Sequence, residues 1–233
     1  IQNNNMAPTE EYKDKVIPQP DFYLPPPTSI VTTGSIKEHP GVTFVAGEGF
    51  NPADVMFVAP YLLPQEASKC LKSRDGTPGF RVQPRYLRSD AGAIFSDIFT
   101  HEQLHLRDCY YTAVIKWLLP KNERGKIPKN KVAWALPALE DEIKRVQPKI
   151  IVCVGKLPFD LLSDVKLSVS DAKGGWFFSD KYNAKIYLVE DIYKLVSNPE
   201  YIERFHVDAR EVYTTLQEIK NVNVNRVPLD YTV

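Results

Sequence analysis

The sequence has no net charge, no long apolar run and few cysteines, and each absence removes a class of function. Lys plus Arg and Asp plus Glu balance at 29 each, so no global field marks the chain for nucleic acid, an anionic membrane or an acidic substrate. Any such surface has to be local. No stretch approaches the ~18 consecutive apolar residues of a membrane span, and no charged-then-apolar leader opens the chain. We therefore expect a soluble, cytoplasmic protein with no membrane partner. Cys70, Cys109 and Cys153 are widely spaced with no CxxC pair, which fits buried reduced thiols better than a disulfide framework or a zinc ribbon. No internal repeat is present. What remains, 233 residues with 43% hydrophobic and 25% charged, suits one medium α/β domain with or without an N-terminal arm. The chain opens at Ile1 with no Met, and we expect it to be part of a longer protein.

Residues 1–40 hold Pro8, Pro18, Pro20, Pro25, Pro26, Pro27 and Pro40 among Asn and charged residues. Regular secondary structure is not expected there, and we read an extended arm pinned by Phe22 and Tyr23. From Gly41 the pattern changes. Val42–Ala46 reads as a short strand, Gly47–Pro52 as a turn, and Asp54–Val58 as a strand buried on both faces. Ser89–Phe99 has helical spacing behind a Ser or Asp cap, Tyr110–Leu118 returns to strand, and Lys131–Val146 is an amphipathic helix ended by Pro148. Lys149–Val154 is the clearest buried strand. A short helix to Leu162, a turn at Gly174-Gly175, a strand over Lys185–Val189 and a helix over Val207–Lys220 complete the pattern. Strands alternating with helices predict a mainly parallel sheet, because parallel neighbours need crossovers.

Four features carry possible chemistry. His101-Glu102-Gln103-Leu104-His105 fits HExxH, in which two histidines one turn apart bind zinc and the Glu activates water. It lacks an evident third ligand, and Leu106-Arg107-Asp108 leads straight into a strand, so two histidines at a frayed helix end are the plainer alternative. Gly47-Glu48-Gly49 has neither GxGxxG nor P-loop spacing and reads as a turn. Lys116, Lys121, Arg124, Lys126, Lys129 and Lys131 cluster around a loop, either a phosphate-tracking surface or a solvated loop. Trp176-Phe177-Phe178 reads as the start of a strand rather than a base-stacking platform.

The blocks GEGFNPADVMFVAPYLLPQE at 47–66, SDAGAIFSDIF at 89–99, the run from Tyr110 to Leu162 and GGWFF at 174–178 together resemble the uracil-DNA glycosylase superfamily. The resemblance is closest to its iron–sulfur branch. It implies a three-layer α/β/α sandwich around a short, mainly parallel sheet over residues 41–220, with a DNA groove across the carboxyl ends of the strands. It also implies an acid after the DVMFV strand that orients water, an Asn that reads the uracil edge, and a late His that stabilises the uracil anion. At the matching positions this sequence has Ala59 and Pro60, then Ala113, then Asp191 and Ile192. The cluster cysteines are missing too: the early CxxC has no counterpart and the later pair matches about Trp117 and Ala135, so neither metal nor cofactor is expected.

These departures point to a domain that keeps the fold without uracil excision. Arg88, Lys116, Lys121, Arg124 and Lys126 are then the candidates for DNA phosphates, with Tyr61 and Phe80 able to stack on an unpaired base. The partner is DNA, single-stranded or template duplex, or a replication protein docked on the domain. Two alternatives stay open: an active glycosylase with Glu66 or Asp191 as the acid, and a zinc peptidase through His101 and His105. Residues 221–233 read as a linker to a following domain, and Tyr231-Thr232-Val233 resembles the opening strand of a proofreading exonuclease. That likeness is to bacteriophage family A DNA polymerases carrying a glycosylase-like N-terminal domain.

Overall fold

Apolar runs without alternation, such as Ile150–Val154, have to be covered on both faces, and that requirement sets the architecture. The computed structural model describes residues 34–36, 39–66, 69–70, 81–82 and 86–224. In chain order the strands are β1 (Gly34–Ile36), β2 (His39–Phe44), β3 (Glu48–Gly49), β4 (Val55–Leu62), β5 (Lys69–Cys70), β6 (Arg81–Val82), β7 (Tyr110–Leu118), β8 (Ile150–Val154), β9 (Trp176–Ser179) and β10 (Ala184–Val189). The helices are α1 (Asp90–His101), α2 (Lys129–Val146), α3 (Lys156–Leu162), α4 (Val169–Ala172), α5 (Lys194–Ser197) and α6 (Glu200–Val224).

The main sheet has the order β3-β7-β4-β8-β10-β9. Its inner strands β7, β4, β8 and β10 are parallel, and the two edges are antiparallel. Side chains alternate between faces. Phe57, Tyr111, Val152 and Tyr187 share one face through the register. There Phe57 meets Phe95 and Phe99 of α1 edge-on, and Tyr187 donates to Asp208 of α6. On the other face Thr112 donates to Glu142 of α2, and Phe177 packs on Phe159 of α3. The three layers are thus α2 and α3, the sheet, and α1, α5 and α6, the expected α/β/α sandwich.

Helix ends follow local chemistry. Ser89 Oγ accepts the Gly92 N–H at 3.0 Å, capping α1. Helix α2 stops where Gln147 turns left-handed and gives its N–H to Ile143, just before Pro148.

Three expectations need correction. The predicted strand over 42–46 is β2, which pairs with β1 in a separate hairpin and not in the main sheet. Part of the supposed arm, at 34–36 and 39–40, is therefore strand; Phe22, Tyr23 and Pro25–Pro27 lie outside the described residues. The last helix starts at Glu200 and continues to Val224, past the start assigned to the linker. Residues 225–233 lie outside the described residues.

Gly92 sits where α1 crosses the preceding turn: a Cβ there would lie 2.5 Å from Leu87 Cα and 2.6 Å from its carbonyl oxygen. An ordinary helical Gly→Ala change is favourable by about 1 kcal/mol. Here Gly92→Ala instead lowers stability by about 1–3 kcal/mol through overpacking. The midpoint of urea unfolding checks the sign.

Candidate functional site

In open α/β sheets ligands bind beyond the carboxyl ends of the strands, where the strand order reverses. Here the chain passes from β4 outward to β7 and then back across to β8, so that point lies between β4 and β8. A cavity is found there, lined by Ala59, Pro60 and Tyr61 of β4, Leu63 and Glu66 beyond it, Val154 of β8, Tyr111 of β7, and Asp191, Ile192 and Tyr193 after β10. Its volume is about 10 Å³, the threshold for a single water.

The fold brings the separated sequence positions together. Ala59 and Ala113 are register partners on β4 and β7, 6% and 0% exposed. Positions that the family resemblance gives to an acid and to a base-reading Asn are thus neighbours, and both carry a methyl group. Tyr61 is 9% exposed, so its ring walls the cavity and is not the open stacking platform expected. Phe80 lies outside the described residues. Tyr111 and Tyr193 were not singled out from the sequence. Tyr111 was hidden in an evenly apolar strand, and only its parity with Phe57 could have marked it.

The two carboxyl groups at this cavity are held by backbone. Glu66, 2% exposed, accepts the N–H groups of Leu63 at 2.9 Å and Leu87 at 2.8 Å. Burial pushes its carboxyl up to about 7 against the pull of those two bonds, with nearby Glu48 adding to the rise. Asp191 Oδ1 accepts the Tyr193 N–H at 2.9 Å, and burial raises this carboxyl as well. The Tyr61 and Tyr193 hydroxyls are raised by burial and by Asp191, while Arg124 pulls both down. The basic loop therefore reaches the field of the cavity.

Among the basic candidates the outcomes diverge. Lys121 and Lys126 are exposed, as is Arg88 just before the α1 cap. Arg124 is half-buried, its Nε donating to the Leu119 carbonyl at 3.0 Å. Lys131, 2% exposed, is paired with Glu123. Lys116 cannot meet a phosphate, contrary to expectation. It is 1% exposed, and its Nζ donates to Glu142 Oε2 at 2.5 Å, Thr112 Oγ1 at 2.5 Å and the Ala113 carbonyl at 3.1 Å. Alternation along β7 turns its side chain under α2, a facing that a loop-side cluster of Lys in the sequence does not reveal. Burial lowers the Lys116 ammonium while Glu142 raises it.

The HExxH geometry fails. Helix α1 ends at His101, Glu102 is its cap, Gln103 is left-handed at φ 66°, and His105 is extended. His101 and His105 therefore do not share one helical face, and the peptidase reading falls. Glu102 instead turns to α6, accepting from Arg210 Nε at 3.0 Å and His206 Nδ1 at 2.9 Å. Arg210 first, then His206, hold its carboxyl down to about 2. An iron–sulfur cluster does not fit either. Trp117 is buried against Trp134 and Phe44, and Ala135 offers no donor. Cys109 and Cys153, the cysteines whose side chains are described, are buried at the foot of β7 and within β8.

The sequence matches the model of the uracil DNA glycosylase superfamily over residues 50–218, well over half the chain, and the protein belongs to that superfamily. No curated protein matches it by sequence. Among the described residues no helix is long and apolar enough to cross a membrane.

Two outcomes follow from the buried charges. Lys116→Met leaves the enclosed Glu142 carboxyl short of its cation and lowers stability by about 3–5 kcal/mol. Adding Glu142→Gln recovers part of that loss in chemical denaturation. The second concerns Glu66, whose folded value of about 7 exceeds the ordinary 4.5. The folded chain therefore holds an extra proton between those values, and this contribution to stability is full below about pH 4.5 and lost as pH rises to 7. The wild type loses on the order of 3 kcal/mol from this group across that window. Glu66→Gln, neutral throughout, flattens the slope of unfolding free energy against pH.

Proposed function

We propose that this chain is a uracil-DNA-glycosylase-fold domain that holds DNA without excising a base. The observation that supports the reading is the cavity at the strand-order reversal, about 10 Å³ in volume and lined by Ala59, Pro60 and Ile192, with Ala113 beside Ala59, at the positions the resemblance gives to acid, anion stabiliser and base reader. Excision needs a base flipped into a pocket, a positioned water and a donor to the leaving anion. Asp191 at the rim carries the wrong sign for that anion when ionised. Arg88, Lys121, Arg124 and Lys126 are the phosphate-holding groups in this reading. The domain then serves as a cytoplasmic tether or docking unit in a replication or repair protein, where it raises local concentration without chemistry.

A second reading has one observation in its favour: Glu66 and Asp191 line the same cavity with raised proton affinity, as a general acid–base pair requires.

The purified chain, incubated with a single-stranded oligonucleotide bearing one uracil, is expected to give no alkali-labile cleavage yet to retard the oligonucleotide on a native gel. Lys121→Glu and Lys126→Glu each weaken retention and reduce the salt slope by about one contact. Cleavage above a heat-killed control, lost in Asp191→Asn or Glu66→Gln, establishes the second reading instead. Neither cleavage nor retardation rejects DNA binding in favour of docking to protein.

A further inference from the structure

We propose that His101, Glu102 and His206 form a site for one Zn²⁺ ion that staples the carboxyl end of α1 to α6. The site is separate from the cavity at the strand ends, and it uses the first two residues of the HExxH sequence but not the last. On a regular helix, adjacent side chains diverge by about 100°. Here α1 ends between them, with Glu102 at φ −84° and ψ 22° followed by left-handed Gln103, and the break lets His101 and Glu102 converge. His206, from the second turn of α6, completes the group.

The donor atoms of all three residues lie within 4.8 Å of one another. His101 Nδ1 and His206 Nδ1 are 3.3 Å and 2.9 Å from the same oxygen, Glu102 Oε1. The two imidazole rings stand at 88° with centroids 5.1 Å apart. Tetrahedral zinc with ligands at about 2.0–2.2 Å separates its donors by roughly 3.4 Å, so modest side-chain rotation closes the group around an ion. His101 is 75% exposed and free to make that adjustment, and its outward position leaves the fourth coordination place to water.

Arg210 decides which cation is bound. Its Nε donates to Glu102 Oε2 at 3.0 Å and its Nη2 to Oε1 at 3.1 Å. A metal taking Oε1 replaces the two Nδ1 contacts, whose nitrogens give up any proton to ligate it, and displaces the Nη2 contact, while Nε remains on Oε2 as an outer partner that orients the carboxylate. The guanidinium charge nevertheless opposes any cation held by charge alone. Calcium and magnesium, which need several oxygen ligands, are excluded, while two imidazoles and one carboxylate suit zinc.

The full chain, free of any histidine tag, is equilibrated with zinc chloride, dialysed and analysed for metal, with thermal unfolding in parallel. One zinc per chain is expected, and zinc at a hundredfold excess over its dissociation constant raises Tm by about 5–10 °C. His101→Gln alters an exposed side chain and leaves the fold intact. It and His206→Gln each weaken zinc binding at least about tenfold, whereas His105→Gln binds as the wild type does. The proposal is overturned if the wild type binds no zinc, or if His101→Gln or His206→Gln binds zinc as tightly as the wild type does. Loss of zinc in His105→Gln overturns it as well.

Discussion

Strand β4 is hydrogen-bonded on both sides and covered on both faces, and most of the structure follows from that constraint. Its parallel partners β7 and β8 cannot be reached by hairpins, so each connection has to travel back across a face of the sheet. The residues 63–109 supply α1 for one face, and 119–149 supply α2 for the other. Because the first crossover goes to one side of β4 and the second to the opposite side, the loops after β4 and β8 separate and leave a crevice. The place of the candidate site is thus a consequence of topology, whatever residues line it.

What lines it is unusual for a place where topology invites a ligand. Several carboxylates near the strand ends, and the Tyr86 hydroxyl, are engaged in holding backbone. Glu66 joins the turn after β4 to the segment before α1 through Leu63 and Leu87. Glu48 accepts the Tyr86 N–H at 2.7 Å, and the Tyr86 hydroxyl donates to the Val45 carbonyl at 2.9 Å. Across the sheet Glu142 takes the Gly47 N–H at 3.0 Å as well as Thr112 and Lys116. Two main-chain donors on Glu66 and one on Asp191 fix these carboxyl groups in place and take up part of their capacity to orient a water.

The fold was legible in the sequence where the pattern was continuous. The runs Val55–Val58, Tyr110–Leu118 and Ile150–Val154 announced buried strands, and Val132, Leu136, Leu139 and Ile143 announced the inner face of α2, of which Leu136 is half-buried. Partnership was not legible. Val42–Phe44 looks like any other short strand, yet pairs in a hairpin apart from the sheet. The facing of charges was equally hidden: Lys116 and Lys121 read alike in the sequence, but one stands within β7 under α2 and the other in the loop beyond it. The motif at 101–105 failed for a related reason, since five letters specify spacing along a chain but not whether the helix continues through them.

The same sorting bears on how tightly this domain could hold nucleic acid. Of the basic residues clustered between 116 and 131, Lys116 and Lys131 are internal and paired, and the Nε of Arg124 is bonded to the Leu119 carbonyl. The field over the carboxyl ends of the strands therefore comes from fewer charges than the sequence suggests, and Asp191 stands among them. With about four phosphate contacts, affinity for a single strand falls by roughly 50-fold between 50 and 200 mM salt. A domain of balanced net charge has no long-range attraction to offset that loss. Such a grip is too weak to locate DNA by itself. Under the DNA-holding reading it serves when the chain is kept near the strand by another module, where a local concentration in the millimolar range compensates for the missing contacts.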